Sequence, residues 1–324
     1  MAIVAVAGGS GDLGRTIVHA LVEQGRHTVY ILTRQRSSGK HETHKTDQTG
    51  ASLVEIDYGN VAAISSQLQE HQIDTVISAI NLFWPGASQA QLNLIQAAAD
   101  SGVVTRFVPS EFNIDYNVPP EQMPYPPRES HLQARSLLEK TPSMAYTCIR
   151  NGLFMDYLGL PYAESYLLPL HILLDLPARK AVVPGDGSGI VVFTQTRDVA
   201  RGVAALVDLP AGDWPREIAI RGERISLDGL VQLVERVTGS AFDVTHVSVE
   251  DLSRNITEEL PSNRGVYHLF PQGKEDLNTV ICTQMIGMAY GVFDIPGVDI
   301  TQYVPSWAPE RLGPFLETCW AKAK

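Results

Sequence analysis

Apolar residues in the first half of the chain follow two alternating rhythms. Short apolar runs at residues 2–7, 28–33, 53–56, 74–80, 107–108 and 146–149 read as strands buried on both faces. Between them, apolar positions recur at helical spacing. Leu13, Ile17, Val18, Leu21 and Val22 form the first such set, ahead of a stop at Gly25. Residues 61–68, 92–99 and 132–138 read as three more helices. Strands and helices alternating at this spacing predict an α/β fold: a Rossmann-type, doubly wound parallel sheet. Residues 35–50 are polar, lack any apolar period and read as a mobile loop.

Beyond residue 150 the rhythm breaks. Prolines punctuate the stretch before the helix at Leu132. Residues 157–176 are apolar, aromatic and interrupted by further prolines, which predicts short helices around a pocket. Ser226 reads as the N-cap of a helix through Val237, with Gly239 as its stop.

Composition narrows the classes of partner. The chain has 324 residues, 44% of them hydrophobic and 19% charged, so a sizeable core is within reach. Its formal net charge of −11 argues against nucleic-acid binding, and any anionic ligand must be held locally. Cys148, Cys282 and Cys319 are far apart and odd in number, which fits a reducing compartment. The N-terminus lacks a basic leader, and no apolar run approaches the ~18 residues of a membrane span. A cytoplasmic protein with no membrane partner is therefore expected. His41 and His44 lack a third ligand, so no metal is expected.

The densest chemistry lies between the first strand and the first helix. Gly8, Gly9, Ser10, Gly11, Asp12, Leu13 and Gly14 satisfy G-x-G-x-x-G and also G-x-x-G-x-x-G. Side chains at such a turn would hold the backbone away from a pyrophosphate. The helix N-terminus offers it unpaired N–H groups and partial positive charge. A dinucleotide cofactor is the expected ligand. A site for NAD usually places Asp or Glu at the end of the second strand to hold a ribose hydroxyl. Here Thr33 and Arg34 stand there, with Arg36 and Lys40 close behind. A guanidinium grips a 2′-phosphate that a carboxylate would repel, so NADP(H) is expected. Asp57 reads either as an adenine contact or as a turn cap, and Ser78 in the fourth strand is counted with the cofactor residues. The expected division is residues 1–155 as the NADP(H)-binding Rossmann domain and 156–324 as a smaller α/β substrate lobe. Some segments of the lobe are expected to return to the first domain.

Several segments together resemble the NmrA-like and isoflavone-reductase-like group of atypical short-chain dehydrogenases. The glycine loop is one. Residues 106–113, Arg-Phe-Val-Pro-Ser-Glu-Phe-Asn, are similar to that group's R-F-x-P-S-E-F-G. Asn151 and Phe154 resemble its N-x-x-F, and Gly185, Asp186, Gly187, Phe193 and Asp198 its G-D-G…F…D. The resemblance implies hydride transfer from NADPH to small aromatic or phenolic compounds, with Asn151 near the nicotinamide. It also implies an acid/base lysine in K-x-x-I-R-R-x-I-E. This chain departs there, because His131 stands at the lysine position, and no Tyr-x-x-x-Lys occurs. A histidine with a reference pKa near ~6.5 can also move a proton near neutrality, so His131 is the candidate catalytic residue.

Ser110 and Glu111 are expected at the carboxyl end of the fifth strand, where ligands of open sheets bind; Glu111 reads equally as a loop anchor. Trp84, Phe112, Tyr125, Phe154 and Tyr157, with Phe83 and Tyr162, are expected to line a pocket for a small hydrophobic metabolite. The leading expectation is an NADP(H)-dependent oxidoreductase acting on an aromatic or alkaloid-like secondary metabolite. Two alternatives share the site: a redox-neutral isomerase or cyclase, and a non-enzymatic NADP(H)-sensing regulator.

Overall fold

The computed structural model describes residues 1–34 and 49–321. Its centre is a six-stranded parallel sheet: β1 (Ile3–Ala7), β2 (Thr28–Arg34), β3 (Ser52–Ile56), β4 (Thr75–Ser78), β5 (Arg106–Val108) and β6 (Ala145–Tyr146). The spatial order is β3-β2-β1-β4-β5-β6. The order reverses between β1 and β4, and that switch opens a crevice beyond the carboxyl ends of the strands. Val6 at the switch pairs with Ile31 on one side and Ile77 on the other.

Helices cover both faces, which is why the strands read as unbroken apolar runs. Four of them are α1 (Asp12–Gln24), α2 (Val61–Glu70), α3 (Ala87–Ser101) and α4 (Arg128–Glu139). Ile64, Leu68, Leu94, Ala98, Ala134 and Leu138 from α2, α3 and α4 pack on one face, around Ala5 and Ala7. Ile17, Val18 and Leu21 from α1 pack on the other, around Val4 and Val6.

Beyond β7 (Cys148–Arg150) come β8 (Leu153–Phe154), α5 (Asp156–Gly159), β9 (Leu174–Asp175), β10 (Lys180–Pro184), β11 (Ile190–Thr194) and α6 (Thr196–Asp208). There follow β12 (Glu217–Ala219), β13 (Glu223–Ser226), α7 (Leu227–Thr238), β14 (Asp243–Val247), α8 (Val249–Ser253), α9 (Lys274–Ala289) and α10 (Leu312–Trp320). The strands form three small sheets, β14-β10-β9, β13-β11-β8 and β12-β7. α6 returns to lie on α1, burying Val199 and Val203 against the central sheet. α7 begins where expected: Ser226 Oγ accepts from the Gly229 N–H at 3.1 Å, and Gly239 ends the helix at φ +67°.

Three expectations change. The fourth strand is shorter than residues 74–80 and spans Thr75–Ser78; just before it the Asp74 carboxylate accepts from the Ile3 N–H and pairs with Arg106. The run at 146–149 divides at Thr147. The Thr147 hydroxyl donates to the Pro215 carbonyl at 2.6 Å and the Cys148 N–H to the Arg216 carbonyl at 2.9 Å. That turns β7 away from the sheet to pair with β12. Residues 157–176 hold little helix beyond α5. The His171 N–H and carbonyl are both bonded by the Asn263 side-chain amide, which replaces helical partners with tertiary ones. The loop expectation for residues 35–50, with Arg36, Lys40, His41 and His44, lies almost entirely outside the described residues. Among the described residues no helix is long and apolar enough to cross a membrane.

Candidate functional site

The glycine loop is shaped by close approach. Gly8 has φ +76°, and a Cβ there would stand 2.7 Å from the Ala79 carbonyl oxygen. A Cβ at Gly14 would overlap the Gly8 carbonyl oxygen, so only glycine lets α1 start this close to the strand end. Gly9 sits against Val18 and Ile31, where a Cβ would meet both at about 3 Å. Gly11 is the N-cap of α1 and supplies no side chain to its first turn. The N–H groups of Asp12, Leu13 and Gly14 therefore open α1 without a capping side chain. Ser10 and Asp12 are exposed beside them. This cradle fits a pyrophosphate: donors converge at the positive end of a helix, and no Cβ fills the approach.

Arg34 closes β2 and is exposed at the same edge of the sheet. Asp57 has a local partner, because its carboxylate accepts from the Gly59 N–H at 2.9 Å and so caps its own turn. Ser78 ends β4 fully buried, with its hydroxyl unpartnered. Asn151 is also fully buried, and its amide donates to the Gly152 carbonyl while Oδ1 has no partner.

Beside the glycine loop lies a cavity of about 210 Å³. Asp12 and Leu13 form its rim on the loop side. The chain after β4 gives Phe83 and Trp84, and the chain after β5 gives Ser110, Phe112, Asn113 and Tyr116. Tyr125, His131, Phe154 and Tyr157 complete the near wall. The far wall comes from Leu167, Leu168, Leu170 and Ile172 of the lobe, with Phe270 and Gln284. Trp84 packs 5.8 Å from Phe83 and 5.7 Å from Phe270, centroid to centroid, which makes one aromatic corner. No lysine or arginine lines the cavity among the described residues, and Asp12 is the one carboxylate on it.

His131 stands on α4, 7% exposed, with its ring stacked on Tyr116 at 3.9 Å and 3°. Its buried Nδ1 has no hydrogen-bond partner. Burial pushes the imidazole down to about 3, so at neutral pH it carries no charge. A reservoir of imidazolium for proton transfer is therefore absent. What remains is a neutral ring fixed in the cavity wall.

Most residues expected at the pocket meet in this cavity: Trp84, Ser110, Phe112, Tyr125, Phe154, Tyr157 and Phe83. Glu111 is one exception. It is 1% exposed and pairs with Arg135, pointing into a charge cluster behind the wall. Ser110 and Glu111 are neighbours, so the chain aims one at each side. Tyr162 also turns away and packs 5.1 Å from Trp320. Tyr116, Asn113, Phe270 and Gln284 are cavity residues that the sequence reading did not select. Asn113 and Tyr116 follow the Ser-Glu-Phe signature closely enough to have been found. Phe270 and Gln284 carry no local signal. Among the described residues no cluster of His, Cys, Asp or Glu is placed to hold a metal.

A profile of the NmrA-like family matches residues 2–278. The chain is similar to Oxidoreductase swnN of Metarhizium robertsii, 32% identical over 343 residues, covering 99% of this chain and 98% of the relative. It is 29% identical to Pinoresinol reductase 1 of Arabidopsis thaliana, covering 83% and 86%. Among solved structures it resembles AtPrR2 with NADP+ and (+)pinoresinol, at a TM-score of 0.67 and 23% identity over 98% of each chain. That last likeness is one of fold.

Proposed function

The chain belongs to the NmrA-like family and is an NADP(H)-dependent oxidoreductase; from that premise we propose that it acts on a hydrophobic, aromatic or alkaloid-like secondary metabolite. One observation carries the reading: Asp12 and Leu13 of the cofactor cradle border the same cavity as His131 and the Phe83–Trp84–Phe270 corner. The cradle N–H groups and Arg34 would hold the pyrophosphate and the 2′-phosphate. NADPH, when bound, supplies the hydride. The aromatic corner would take a flat apolar body, and the lining disfavours anions because it offers no cation to pair with them. The Asp12 carboxylate suits a substrate with a basic nitrogen.

In this reading His131 contacts the substrate as a neutral hydrogen-bonding ring. It orients the polar group next to the carbon that accepts hydride, and the proton that completes reduction comes from elsewhere. Tyr116 holds the ring by stacking. Exclusion of water by Leu167, Leu168 and Phe270 strengthens each polar contact inside.

The test is NADPH oxidation by purified protein with a panel of aromatic enones, imines and carbonyl compounds. Stoichiometric consumption with product is expected. The neutral state of His131 favours a second reading, a redox-neutral isomerase or cyclase, because such an enzyme needs no net proton delivery. Product without cofactor loss would select that reading. Tight NADPH binding with no product from any compound would select a regulator.

A further inference from the structure

Behind His131 the segment 110–116 grips α4 at two levels. Its far end holds His131, with Tyr116 stacked on the imidazole ring. The inner residues hold Arg135, one helical turn further on the same face. Arg135 donates to Glu111 and, at 3.2 Å, to Asp115. Asp115 also pairs at 3.0 Å with Arg150 of β7, which reaches Glu217 of β12 at 2.5 Å. The cluster thus ties α4, the chain after β5, β7 and β12 into one body. Glu111 is its most buried carboxylate.

We propose that Arg135 and Glu111 are positioning residues for His131: their pairing clamps the segment that carries Tyr116 against α4 and so keeps the imidazole in its place. This rests on the reading that His131 contacts substrate. Each element around Glu111 is accounted for: Arg135 from α4, the Cys148 thiol and Arg150 from β7, and Tyr116 and Asp115 of its own segment. Burial pushes Glu111 up to about 6, against the pull of Arg135. Burial also holds the Cys148 thiol protonated. Glu111 is therefore ionised at neutral pH and accepts from Arg135 as a carboxylate. The sign follows from a raised carboxyl: the fold favours the protonated form, so acidification through about 6 does not release the segment, and removal of the carboxylate, not pH, is the perturbation that tests the grip.

Two readouts on one variant test this. Glu111→Gln removes the carboxylate that Arg135 binds while keeping the length of the side chain. The first readout needs no substrate: NMR of histidine-labelled protein, in which Tyr116 stacking shifts the His131 ring protons upfield. The His131 signal is assigned by its loss in His131→Gln. At neutral pH it should lie upfield in the unaltered protein and move downfield in Glu111→Gln as the stack loosens. The second readout is turnover. At neutral pH kcat should fall roughly tenfold in Glu111→Gln, with KM changed less. NADPH affinity should be unchanged. A His131 signal that ignores Glu111→Gln in folded protein overturns the positioning role. A signal that tracks Glu111 while turnover does not overturns instead the reading that His131 contacts substrate.

Discussion

His131→Phe tests the claim that the histidine works uncharged. Phenylalanine keeps the stack on Tyr116 and removes the titrating nitrogens. Holding an imidazole near 3 instead of its ordinary 6.5 costs the protonated form about 5 kcal/mol, at 1.36 kcal/mol per pH unit. The pKa is depressed in the folded state, so the unfolded chain gains a proton on this group first as pH falls. The group's contribution is whole above about 6.5 and is lost progressively down to about 3. Between about pH 7.5 and about pH 5 the loss should be about 2 kcal/mol, since only the unfolded chain titrates there. The remaining histidines are common to both proteins and cancel in the comparison. Urea unfolding at the two pH values gives the quantity directly. The unaltered protein should lose about 2 kcal/mol more stability on acidification than His131→Phe, whatever the variant's absolute stability. Equal losses would mean that His131 titrates near its ordinary value in the folded protein. An imidazolium would then be available as a proton donor, and the neutral-ring account would be wrong.

Three further outcomes follow from the same geometry. Gly14→Ala puts a methyl group into the Gly8 carbonyl, at a cost of about 1–3 kcal/mol; NADPH affinity should fall roughly tenfold or more by titration calorimetry, and an unchanged affinity would refute the close-approach role. Arg34→Glu should weaken NADPH binding roughly tenfold while sparing NADH, and an unchanged preference between the two removes the 2′-phosphate role. Trp84→Ala opens the aromatic corner; it should raise KM for an aromatic substrate roughly tenfold with a smaller effect on kcat, whereas an effect confined to kcat would move Trp84 out of substrate binding.

What the sequence made legible was local. The glycine loop, β1 and α1 are set by residues adjacent in the chain, and their hydrophobic period and turn chemistry are visible without tertiary information. The division between β6 and β7 was hidden. Thr147 and Cys148 are turned by carbonyls at Pro215 and Arg216, nearly seventy residues away, and no run of apolar residues records that. The cavity was half legible for the same reason. Trp84, Ser110, Phe112, Phe154 and Tyr157 lie just after strand ends, where a doubly wound sheet exposes them. Phe270 and Gln284 arrive from the lobe through contacts with no periodic trace. His131 could be singled out because it replaces a lysine in a recognisable stretch. Its neutrality could not, because that depends on burial beneath Tyr116. Glu111 shows the limit most clearly: its place beside Ser110 suggested a substrate contact, and the alternating direction of the chain sends it to Arg135 instead.

The central claim is that one cavity brings a nicotinamide hydride to an apolar, aromatic-bodied substrate. Isotope transfer tests it most directly, with NADPH deuterated at the transferred position of nicotinamide C4 and product analysed by mass spectrometry and NMR. The account predicts one deuterium on the reduced carbon of each product molecule, matched by one NADPH consumed. Product free of deuterium, or formed while NADPH remains undiminished, would contradict it.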